Sequence, residues 1–117
     1  MLNRTERLDR TFAVLSDSTR RAILARLERE DALSVSELAR PHAIKLPAIM
    51  KHLDVLADAG LITRAKTGRT VTVRLQPRPM REAMEWLRRY ERFWSASLDR
   101  LIVLAEAREA DARKAGR

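Results

Sequence analysis

The chain has 117 residues, a one-domain length that can bury roughly 65% of the surface its unfolded form exposes, so a core needs no covalent staple. It contains no cysteine, which excludes disulfides and thiolate metal sites, and MLNRTERLDR lacks the apolar run of a signal peptide, so a cytoplasmic protein is expected. No stretch reaches the ~18 apolar residues of a membrane span, and 24 lysines and arginines against 16 acidic residues leave a net charge of +8, which points to a polyanionic partner.

Leu8, Phe12 and Leu15 recur at i, i+4 and i+7 and predict the inner face of a first helix. Ser16-Asp17-Ser18-Thr19 breaks it and opens a second, N-capped by Asp17, whose carboxylate can accept amide hydrogens of the next turn. That helix runs to about Arg29, with Ile23, Leu24 and Leu27 inward and Arg20, Arg21 and Arg26 facing elsewhere. Ser34 caps a short helix, SVSELAR, with Val35, Leu38 and Ala39 at helical spacing; it ends near Arg40 because Pro41 follows. After the loop PHAIK a longer helix starts at Leu46 or Pro47, where a missing amide hydrogen costs nothing, and stops at Gly60. Leu61 to Lys66 and Thr70 to Leu75 read as two strands around a Thr67-Gly68 turn, with Val71, Val73 and Leu75 on one face and Thr70, Thr72 and Arg74 on the other. After Pro77 and Pro79 a single long helix is predicted from about Met80 to Arg108. It carries two apolar stripes, Met84, Leu87, Trp94, Leu98, Leu101 and Ala105, and Ala83, Trp86, Tyr90 and Phe93. Residues 109–117, small and charged, are expected to fray.

A short helix, a tight loop, a longer helix and a basic hairpin form the order of a winged helix-turn-helix. The expected fold is therefore mainly α with a small β-hairpin, about five helices and a two-stranded wing in one domain. In such a pair the second helix enters the DNA major groove with its N-terminal residues against base edges. At about 100° per residue, Ile49, Leu53 and Leu56 point inward, whereas Pro47, Met50, Lys51 and Asp54 lie roughly 100° to 200° away. Lys51 can reach a phosphate or the O6/N7 edge of guanine, Met50 can pack on a thymine methyl, and Lys45, Leu46, Pro47, Ala48 and His52 complete the candidate reading surface. His52 sits on the flank, where a structural role competes with base contact. In the hairpin, Arg64, Lys66 and Arg69 would neutralise phosphates, with Arg69 at the tip placed for the minor groove; a solvated basic edge strand is the plainer reading. Charge supports the first: between Arg64 and Arg89 the basic residues are Arg64, Lys66, Arg69, Arg74, Arg78, Arg81, Arg88 and Arg89, against only Glu82 and Glu85.

VLSDSTRRAILARL, LSVSELA, PAIMKHLDVLADAGLI and the TRAKTGRTVTVRL hairpin together resemble the ArsR/SmtB family of bacterial winged helix-turn-helix repressors, over about residues 8 to 105. The resemblance implies a homodimer pairing through its first and last helices and repressing transcription from an imperfect inverted repeat, often in its own promoter. It places Leu8, Phe12, Trp86, Tyr90, Phe93, Trp94, Leu98 and Leu101 at the dimer interface. Departures are informative. Metal-sensing members carry C-V-C where this chain has Ser34-Val35-Ser36, and hydroxyls do not replace thiolates for a soft metal. No histidine follows His52, and His42 with His52 makes no ligand set, so neither metal nor cofactor is expected. The family's serine and glutamine at the start of the reading helix, and its serine before the lysine, are Lys45, Leu46 and Met50 here, which implies a different operator. Trp86, Tyr90, Phe93 and Trp94 could line a small-molecule inducer site, but aromatic residues at this spacing are more often core. The competing function is a winged-helix module that binds protein without reading DNA. An enzyme is not expected, since the chain offers no glycine-rich phosphate loop, cysteine nucleophile or paired apolar carboxylates.

Overall fold

The structure, a computed structural model, describes residues 2–40 and 45–116, without the side chains of Trp94 and Ser95. His42 and the Trp94 side chain, both considered above, lie outside the described residues. The chain divides into two compact units, Met1–Ala83 and Met84–Arg117.

In the first unit α1 (Arg4–Leu15) opens with a capping box in which Asn3 and Glu6 satisfy each other's backbone amides. The helix buries Thr11 and Val14 and leaves Leu8 half-buried and Phe12 37% exposed, so the inner face is rotated from the Leu8–Phe12–Leu15 stripe that periodicity indicates. Thr11 tolerates burial because its hydroxyl donates to the carbonyl of Arg7, one turn back, at 3.0 Å. α2 (Ser18–Arg29) is capped by Asp17 as expected and buries Ile23, Leu24 and Leu27. Its arginines are not idle at the surface: Arg20 Nε donates to Val14 O at 2.8 Å and Arg21 to Leu15 O at 2.7 Å, covering carbonyls that the end of α1 leaves unpaired. Arg26 donates to Glu37 O at 2.7 Å and so fastens α2 to the next helix.

Leu33–Ser34 forms β1, too short to announce itself by alternation. α3 (Val35–Ala39) follows, then α4 (Leu46–Asp58), β2 (Ile62–Thr67) and β3 (Thr70–Leu75). β1 pairs with β3 (Leu33↔Val73), giving an antiparallel sheet of order β1-β3-β2 in place of the expected isolated hairpin. In the hairpin Ile62 faces Leu75 and Thr67 faces Thr70, so the turn is Gly68-Arg69, one residue later than expected. Gly68 takes φ +62°, which a two-residue hairpin turn with glycine first requires. Ile23, Leu27, Leu33, Leu38, Ile49, Leu53, Leu56, Leu61 and Val73 meet in one core that holds α4 from beneath.

The long C-terminal helix of the sequence reading is interrupted. α5 (Arg78–Leu87) gives way to a 3₁₀ turn at Arg88–Tyr90, and α6 (Glu91–Ala115) continues past the expected end at Arg108, so residues 109–115 are helical rather than frayed. Neither glycine nor proline marks the break, and apolar periodicity therefore reads straight through it. In the second unit Trp86 and Tyr90 meet with ring centroids 5.3 Å apart, while Phe93, Leu98, Leu101, Ile102, Val103 and Leu104 of α6 are exposed. The described residues thus form six α-helices and a small antiparallel sheet, a mainly helical winged fold.

Candidate nucleic-acid interface

α3 and α4 are the two helices of the helix-turn-helix. α3 is set by a reciprocal cap: Glu37 N donates to Ser34 Oγ and Ser34 N to Glu37 Oε1, both at 3.1 Å. The Ser34 amide, and then its hydroxyl, hold the Glu37 carboxyl below its ordinary range. On α4, Ile49, Leu53 and Leu56 are wholly buried, as the helical wheel requires. Lys45, Leu46, Pro47, Lys51 and Asp54 are exposed, Ala48 is half-buried, and Lys45 stands at the N-cap position. Met50 departs from expectation. It is half-buried and packs against the core, as a long, unbranched and flexible side chain at the edge of an apolar face can.

His52 lies on the flank of α4 and turns toward the start of α2. Its Nδ1 is 3.8 Å from Asp17 Oδ2 and 3.4 Å from Arg20 Nη1. The same Asp17 oxygen accepts the Arg20 amide at 3.0 Å, and that hydrogen bond, with the nearby charges of His52 and Arg20, depresses the Asp17 carboxyl despite partial desolvation. His52 therefore ties α4 to the α1–α2 corner. This link joins residues 32 positions or more apart, and a local pattern carries no sign of it.

The wing shows a similar surprise. Within β2 only Ile62 is buried, and Lys66 and Arg69 project into solvent as expected. Arg64 does not. Its Nη1 donates to Asp54 Oδ1 at 2.6 Å, joining the middle of β2 to the outer face of α4. The two side chains are 29% and 58% exposed, so the pair contributes only about 0.2 to 1 kcal/mol to stability; its effect is on position. Asp54 is the one acidic residue between Lys45 and Ala57, a signal that could have flagged the pair in advance.

Of the interface residues expected in the N-terminal unit, Leu8 is half-buried and Phe12 exposed; in the other unit Trp86 is half-buried and Tyr90, Phe93, Leu98 and Leu101 are exposed. Among the described residues no three His, Asp or Glu side chains gather where a metal could be held, and no helix is long and apolar enough to cross a membrane.

A helix-turn-helix domain family model matches residues 15–65. The HTH-type transcriptional regulator Rv2034 of Mycobacterium tuberculosis is 34% identical over 103 residues, 88% of this chain and 92% of that protein. The transcriptional repressor SdpR of Bacillus subtilis is 28% identical over 80 residues, 68% of this chain and 88% of its own. The crystal structure of an ArsR family transcriptional regulator, RHA00566, superimposes with a TM-score of 0.72 at 39% identity, covering 80% of this chain and 96% of that one.

Proposed function

The chain belongs to the ArsR family of winged helix-turn-helix regulators, DNA-binding transcription factors and not enzymes, and from that premise we propose that it is a homodimeric repressor reading an inverted repeat, including one in its own promoter. The observation that carries the reading is the outward face of α4: Lys45, Leu46, Pro47 and Lys51 exposed, with Lys66 and Arg69 of the wing exposed as well. Lys51 contacts phosphate or guanine, Lys45 grips phosphate near the helix start, Leu46 and Pro47 offer apolar contact to thymine methyls, and Lys66 and Arg69 neutralise phosphates. Ala48, Met50 and His52 support this surface from its edge, and Arg64 positions the wing. The large apolar side chains exposed on α6, Phe93, Leu98, Leu101 and Ile102 among them, support pairing with a second copy, since a lone chain rarely leaves such a stripe in water. Repression is supported by the similarity to SdpR, a transcriptional repressor.

Titration of the DNA upstream of the protein's own gene tests the proposal. With about four phosphates neutralised per subunit, log affinity should fall with log salt at a slope of roughly −7. Lys51→Glu and Arg69→Glu should each weaken binding at least tenfold, by roughly 1.4 kcal/mol or more. Absence of any sequence preference at moderate salt contradicts the reading. A protein partner held equally by wild type and both variants, with no DNA affinity to lose, would instead establish the interaction module.

A further inference from the structure

We propose that Asp54 and Arg64 are a specificity-setting pair: Asp54 on the reading helix holds Arg64 of the wing, fixing the wing's position and withholding one cation per subunit from non-cognate phosphate. The inference rests on the reading above, in which α4 and the wing face the duplex.

Three observations carry it. The contact is short, 2.6 Å, and joins α4 to β2 across ten residues of chain, so it constrains two elements rather than decorating one. Arg64 pairs in the sheet with the fully buried Val73, midway along the hairpin, while Lys66 and Arg69 lie nearer its tip. Asp54 stands three residues after Lys51 on the outer part of α4, where Lys45 and Lys51 are exposed, and of the two exposed carboxylates of that helix, Asp54 and Asp58, it is Asp54 that reaches the wing. Unpaired, a carboxylate there would repel every duplex, and a guanidinium there would attract every duplex. Paired, they cancel toward the sequence-independent backbone, while the contact holds the wing where Lys66 and Arg69 meet phosphate only when α4 is seated.

The test uses two probes, a duplex selected from a random library by the wild-type protein and a scrambled duplex of the same composition. Asp54→Asn keeps the shape and removes the charge. It should bind the scrambled duplex about tenfold tighter, with a salt slope steeper by about 0.9 for each bound subunit as Arg64 is released to phosphate, and the specificity ratio should drop correspondingly. Asp54→Glu, which keeps the charge, should restore ratio and slope toward wild type. Arg64→Gln, which leaves the Asp54 carboxylate unpaired, should weaken both duplexes, and the selected one more, because the wing is also released. A merely structural pair would shift melting temperature and leave ratio and slope alone. The proposal is overturned if Asp54→Asn matches wild type in both while Lys51→Glu abolishes the preference; if wild type itself shows no preference, the DNA-reading proposal falls with it.

Discussion

Asp17 and Glu37 each accept a backbone amide at a helix start, and the hydrogen bonds lower both carboxyls from their ordinary values of 3.8 and 4.5. A carboxyl with a lower pKa in the folded state binds fewer protons there, so its contribution is complete above the unfolded value and is lost as pH falls through the folded one. Acid should thus weaken the fold partly through these two caps. Denaturant midpoints at neutral pH and near pH 3 should differ less for the Asp17→Asn, Glu37→Gln double variant than for wild type; an equal difference would show that the caps carry no acid sensitivity. The Asp17 and Ser34 caps were legible in the sequence because a cap and its helix lie within one turn; the reciprocal bond from Glu37 was not read there. The roles of His52 and Arg64 were not legible either. Each meets a partner on another element, Asp17 and Arg20 for the first and Asp54 for the second, and a lone basic residue gives no sign of which carboxylate the fold will bring to it.

Among the elements, α4 was the most legible, because Pro47 and Gly60 bracket a strong apolar stripe. Its end is a Schellman cap: Leu61 N donates to Leu56 O at 3.0 Å and Gly60 N to Ala57 O at 2.9 Å, with Leu56 and Leu61 both wholly buried. Gly60 holds φ +77°, and a Cβ there would meet Pro79 only at an ordinary 3.7 Å, so the cost of a side chain is conformational rather than steric. Gly60→Ala should therefore destabilise the protein by about 1 to 2 kcal/mol in equilibrium denaturation; a neutral result would mean that the left-handed turn does not hold the α4–β2 junction. β1 and the 3₁₀ turn before α6 escaped the sequence for opposite reasons. β1 is two residues long and exists only through β3, while the turn at Arg88–Tyr90 interrupts a stripe whose periodicity remains helical.

At the scale of the whole molecule, a net charge of +8, the outward face of α4 and the large apolar side chains exposed on α6 are the features on which the proposed DNA-bound pair rests. Two copies related by a two-fold axis would present two α4 helices, so the DNA site should share that symmetry with half-sites about 34 to 36 Å apart, one helical turn, or a multiple of it. Selection of duplexes from a random library by the purified protein, with the mass of the bound species measured by sedimentation, tests this most directly. The expected result is an enriched inverted repeat at that spacing, bound by twice the 13.5 kDa chain mass and no longer enriched by Lys51→Glu. A library that yields no motif, or a single half-site bound by a 13.5 kDa monomer, would contradict it.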